Sequence, residues 1–142
     1  MRQAWDTGWV DHHGELLQID RAALFPVPSV RPPVWVGGKS QAALRRAVRE
    51  DGWLGMNYGL DEVAALLGRL RAIRDDVGDE REDFEVFVIP NAVPSAQLFA
   101  DLAGQGVTST MVMPWVPGDP SMTSLEAKRD ALESLASTLA LT

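Results

Sequence analysis

Cysteine is absent from the 142-residue chain. That removes disulfides, thiolate metal sites and a cysteine nucleophile. No apolar run approaches the ~20 residues needed to span a bilayer. The opening Met1-Arg2-Gln3-Ala4-Trp5-Asp6 lacks the apolar region of a signal peptide. The expectation is a soluble, cytoplasmic chain. Basic residues are few: 13 Lys and Arg against 20 Asp and Glu give a net charge of −7. Phosphate backbones and anionic membranes are held by clustered Lys and Arg, so neither nucleic acid nor a membrane surface is an expected partner. Low-complexity tracts and short-period repeats are also missing.

What is present is ordinary globular composition, 46% hydrophobic and 23% charged. The length suits one structural domain, which can bury roughly two-thirds of its unfolded surface. Residues 1–33 read as an irregular segment. Within it, Trp9 to Asp20 is able to form a short hairpin, and four prolines from Pro26 to Pro33 keep the chain extended.

From residue 34 onward, strand and helix signals alternate. Val34-Trp35-Val36 reads as a buried strand ending at Gly37-Gly38, and Ser40 can cap a helix carrying Ala43, Leu44, Ala47 and Val48 at helical spacing. Asp51 to Met56 is a second strand. Asp61 is the expected cap of a helix striped with Val63, Leu66, Leu67, Leu70 and Ile73, which Gly78 ends. Phe84 to Ile89 is a third strand closed by Pro90, followed by a helix over Ser95 to Ala103 with Leu98, Phe99 and Leu102 inward. Val107 to Met113 is a fourth strand. A last helix runs from about Thr123 to Ala140, with Leu125, Leu132, Leu135 and Leu139 on one face.

Strands alternating with helices imply parallel pairing through right-handed crossovers. A closed eight-stranded barrel needs about 250 residues. Four β–α units over residues 34–142 therefore make either half a barrel or a small open α/β sheet.

Gly37 and Gly38 fall where a strand hands over to a helix, at the carboxyl end of the strand, where ligands bind in parallel α/β folds. Glycine lets an anion approach the backbone closely, and a helix start offers free N–H groups. Lys39 adds a mobile cation and Ser40 a hydroxyl. Phosphate is the natural guest. The same residues also suit a plain tight turn with a serine cap, and the pattern does not name its ligand.

Other candidates are weaker. Asp11, His12, His13 and Glu15 suggest a metal site, but adjacent histidines on a strand point to opposite faces. Of the five tryptophans, Trp35 and Trp53 are expected in the core. Trp5 and Trp9 are expected to cover the barrel or a partner. Trp115 lies on the ligand side, where it either packs or stacks on a ring. No catalytic acid, base or nucleophile can be nominated.

The stretch Pro33 to Ser40, then Ala42-Ala43-Leu44-Arg45-Arg46-Ala47, then Asp51-Gly52-Trp53, resembles the luciferase-like monooxygenase family. Gly14 to Asp20, Pro26-Val27-Pro28 and Gly106 to Pro114 are similar to that family in the same order. The family includes bacterial luciferases and deazaflavin (coenzyme F-420) dependent oxidoreductases, all TIM barrels. The resemblance implies the carboxyl-terminal half of such a barrel, strands five to eight, preceded by an insertion segment at residues 1–33. It implies FMN or coenzyme F-420 as cofactor, with phosphate near Gly37, Gly38, Lys39 and Ser40 and near Met56, Asn57 and Tyr58 at the end of the next strand. Much of the family's ring pocket lies in the first four strands. Two expectations arise: a longer reading frame in which Met1 is internal, or a truncated, non-catalytic half-barrel that self-associates as a dimer or needs a partner chain.

Overall fold

A computed structural model describes residues 2–115 and 118–139. The chain divides into two compact units, Met1–Pro33 and Val34–Thr142.

The first unit is more ordered than its proline content implied. Helix α1 (Arg2–Thr7) leads into strands β1 (Trp9–His13) and β2 (Gln18–Ala23), which pair antiparallel with a register shift between Val10 and His12. The hairpin is the one read from Trp9 to Asp20. The helix was not anticipated, because its six residues are too few for a periodic signal. Trp9 meets Phe25 edge-to-face at 5.9 Å and carries the Arg21 guanidinium at 4.7 Å from its ring centre.

In the second unit, β3 (Trp35–Gly37), α2 (Gln41–Val48), β4 (Gly52–Tyr58), α3 (Leu60–Asp76), β5 (Glu85–Pro90), α4 (Ala96–Gly104) and β6 (Ser109–Thr110) alternate along the chain. The four strands form a parallel sheet in sequential order, β3-β4-β5-β6. Sequential order with right-handed crossovers puts every intervening helix on the same face. The core agrees: Leu44 and Val48 of α2, Val63, Leu66 and Leu70 of α3 and Leu102 of α4 pack on Trp53, Val86 and Val88 of the sheet. This winding is that of a barrel half, not of a doubly wound sheet.

The apolar stripes of α2 and α3 are buried as their spacing predicts. Ser40 caps α2 through its side-chain oxygen, which accepts from the Ala43 N–H at 3.1 Å. Three local readings are corrected. Gly59, not Asp61, is the N-cap of α3, and Asp61 sits in its first turn, where a carboxylate still favours the helix dipole. The fourth strand shrinks to Ser109–Thr110, because side-chain hydroxyls take over ladder positions: Thr108 Oγ1 accepts from the Val86 N–H at 2.9 Å and Thr110 Oγ1 donates to the Val88 carbonyl at 2.7 Å. The last helix, α5 (Leu125–Thr138), starts after a 3₁₀ turn at Pro120–Thr123 and is capped by Ser124. None of its apolar stripe is fully buried: Leu135 and Leu139 are half-buried, and Leu125 is 85% exposed.

The two strand tryptophans part company. Trp53 is fully buried, while Trp35 is 40% exposed. Trp35 pairs with Gly52, one position out of step with Trp53, so it stands on the face away from α2, α3 and α4. There it stacks on Phe87 of β5, ring centres 5.4 Å apart. Met56, 49% exposed, has the same parity as Trp35.

A staple ties the ends of α2 and α3 together. The Asp79 carboxylate accepts from Arg74 Nε at 3.0 Å and from Arg81 Nε at 2.6 Å. Arg81 in turn donates to the carbonyls of Val48 at 2.6 Å and Glu50 at 2.9 Å, at the end of α2. The Arg81 hydrogen bonds hold the Asp79 carboxyl far below the usual carboxylate range, outweighing its burial.

Candidate functional site

The turn after β3 is shaped by one backbone and one indole. Gly38 has φ +107°, a conformation open essentially to glycine, and a Cβ there would lie 3.2 Å from the Cβ of Ala43. Its carbonyl accepts from Trp53 Nε1 at 2.9 Å. Trp53 can lie flat along the sheet because residue 55 is glycine: a Cβ at Gly55 would come within 2.5 Å of the indole. The core tryptophan therefore braces the turn from beneath.

The turn leads directly into the start of α2. Intrahelical bonding leaves the first-turn amides of a helix without partners. Ser40 Oγ accepts from Ala43, which leaves its O–H as a donor. The Gly38 N–H, the Ser40 hydroxyl and the Gln41 and Ala42 amides are the donor set that suits a phosphate.

Two side chains from α3 reach the same place. Lys39 Nζ donates to Glu62 Oε1 at 2.8 Å, and that hydrogen bond and charge hold the ammonium above its ordinary range. Arg69 donates to the Lys39 carbonyl at 3.1 Å and to Gln41 Oε1 at 3.2 Å. From sequence Arg69 reads only as part of a solvated helix face, and Glu62 is not a site candidate. The available signal was their seven-residue separation, two helical turns, which puts both on one face of α3. Glu62 offsets the charge of Lys39, so the guanidinium of Arg69 is the stronger cation beside the helix start.

The end of β4 treats its three nominated residues differently. The register with β5 runs Met56 with Ile89, then Tyr58 with Pro90, so Asn57 is the extra residue of a bulge. Asn57 has φ +59°. One extra residue switches the face of every later residue in the strand. Tyr58, which strict alternation would put beside Met56, instead stacks on Trp53 at 6.5 Å and 11°. Lys39 Nζ lies 5.6 Å from the Tyr58 ring centre. The structure thus gathers Gly38, Lys39, Ser40 and Tyr58 around Trp53. It leaves Met56 on the opposite sheet face and puts Asn57 at the wall of a cleft.

That cleft, about 610 Å³, lies at the carboxyl ends of β4 and β5 and past the end of β6, and Trp115 is among its walls. Elsewhere, His13 Nε2 meets Asp11 Oδ1 at 2.9 Å, both exposed. Among the described residues no three His, Asp or Glu side chains come together as metal ligands, and no helix is long and apolar enough to cross a membrane.

A singly wound parallel sheet of four strands alternating with helices is the architecture of a half (β/α)8 barrel. Residues 1–96 match the family model for luciferase-like monooxygenases, and the chain belongs to that family. Over 131 residues it is 33% identical to uncharacterised proteins of Mycobacterium bovis and Mycobacterium tuberculosis, which covers 90% of this chain. The chain spans 45% of the length of those relatives.

Proposed function

We propose that this chain is the carboxyl-terminal half of a flavin- or deazaflavin-dependent luciferase-like oxidoreductase, holding the phosphate of FMN or coenzyme F-420 at Gly37, Gly38, Lys39 and Ser40. Gly38 carries this reading: its φ of +107° and the crowding by Ala43 favour glycine, where a strand end, a helix start and a serine hydroxyl converge. The residues fit the group. The first-turn amides and the Ser40 hydroxyl are donors suited to phosphate oxygens, and Arg69 supplies charge at the helix start. Tyr58 flanks the turn on the β4 side, with Lys39 Nζ 5.6 Å from its ring centre, and Asn57 and Met56 precede it on the same strand.

The cofactor, when bound, supplies the redox chemistry, and this chain's residues bind and orient it. Fluorescence titration of the full chain with FMN and with coenzyme F-420 is the test. Saturable binding of either, weakened by Gly38→Ala and by Arg69→Gln, is expected. No binding of either at high micromolar concentration overturns the proposal for this chain.

A second reading concerns assembly. Trp35 and Met56 are half-exposed on the sheet face away from the helices, and among the described residues β3 and β6 each have only one strand neighbour in the sheet. Such a face and such edges favour pairing with a second copy or a partner half-barrel. Here the chain is a non-catalytic half that self-associates as a dimer.

A further inference from the structure

The charges around the Gly38 turn do not add up to a strong anion site. Lys39 follows the turn glycine, but its ammonium is already matched, since Nζ donates to Glu62 Oε1 at 2.8 Å. The two side chains are 63% and 43% exposed, so charge and not packing holds them together. Asp61 adds a second carboxylate in the same first turn of α3. Arg69 keeps its charge, because both its partners, the Lys39 carbonyl and Gln41 Oε1, are neutral. A phosphate on the turn therefore meets one uncompensated cation, together with the partial positive charge of the α2 start.

How much charge a phosphate brings depends on its substitution. A diester carries a single negative charge. A terminal monoester has its second pKa near 6 and carries close to two at neutral pH. The first charge is met by Arg69 and the helix amides. The second would shed its water and find Lys39 neutralised by Glu62. Coulomb energy scales with ligand charge, so a carboxylate at this place acts twice as strongly on a dianion as on a monoanion.

We infer that Glu62 sets the charge of the phosphate this turn accepts, and that the ligand is a phosphodiester and not a terminal phosphate. The inference rests on the phosphate reading above. Of the two cofactors named there, coenzyme F-420 carries its phosphate as a diester and FMN carries it as a terminal group. Glu62 is thus the residue that separates them.

The test is fluorescence titration of the full chain at pH 8 with FMN and with the methyl ester of FMN, which has the same ring and sugar and one charge fewer. The ester should bind at least about three-fold more tightly than FMN. Glu62→Gln, at an exposed position, removes the carboxylate and releases Lys39. It should tighten the ester about five-fold and FMN by roughly the square of that, about 25-fold. Lys39→Gln leaves Glu62 unpaired and should weaken FMN more than the ester. A merely structural role for the pair would move both probes by one factor. Equal responses of the two probes to Glu62→Gln, or FMN binding as tightly as its ester to the unaltered chain, would overturn the assignment and leave the phosphate reading in place. Binding of neither probe up to about 1 mM would remove both.

Discussion

Gly38 and Asn57 both sit at positive φ, but the cost of a side chain should differ between them. At Gly38 the φ of +107° lies outside the region an asparagine or alanine tolerates, and Ala43 closes the space a side chain needs. Gly38→Ala is expected to cost about 1–3 kcal/mol, read from urea midpoints. At Asn57 the φ of +59° is ordinary left-handed backbone. Asn57→Ala should lose about 1 kcal/mol, while Asn57→Gly should be neutral or slightly stabilising. Equal losses for both Asn57 variants would mean that its side chain, not its backbone, matters. Gly37-Gly38 was legible in sequence as a turn, since two glycines before a capping serine have few other uses. Trp53 as the brace beneath it was not, because a contact between residues 38 and 53 leaves no local pattern.

Between elements, the Asp79 staple makes a pH-dependent link. The carboxyl is held far below its ordinary range by Arg81 and Arg74. A depressed carboxylate contributes stability that is fully present above its unfolded value of about 3.9 and is lost as pH falls through the folded value. Asp79→Asn should therefore destabilise the chain by about 2 kcal/mol at pH 7. The gap between variant and wild type should narrow steadily below about pH 4. Urea unfolding at pH 7 and pH 2.5 checks this, and an unchanged gap would refute the charge-based account. The α2 and α3 stripes were readable from spacing because both helices lie on one core. The stripe of α5 carried the same periodic signal and has no fully buried residue, so periodicity told where a helix is and not how well it is covered.

At the scale of the whole molecule, the sheet face carrying Trp35, Phe87 and Met56 is the one a second copy would cover in the assembly reading. If a second copy covers it, sedimentation should give a dimer, and Trp35→Lys should shift the equilibrium towards monomer by at least about ten-fold in dissociation constant. A monomer at all concentrations removes the self-association reading and leaves the cofactor reading standing. The family resemblance and the order of the four β–α units come from the sequence, whose pattern leaves half a barrel and an open sheet as alternatives; the sequential strand order decides the winding. Neither says which relatives' chemistry applies, since those matched are themselves uncharacterised and about twice as long.

The sequence by itself determined the alternation of strand and helix, the buried stripes of α2 and α3, the serine cap and the glycine turn, because each is written in neighbouring residues. Tertiary structure alone decided faces. Trp35 and Trp53 look alike in their strands, yet the one-residue offset in pairing turns one away from the helices and buries the other. A single bulge at Asn57 moved Tyr58 to the side of Trp53. Side-chain direction along a strand alternates with every residue, so it depends on register, and register is set by partners far away in the chain.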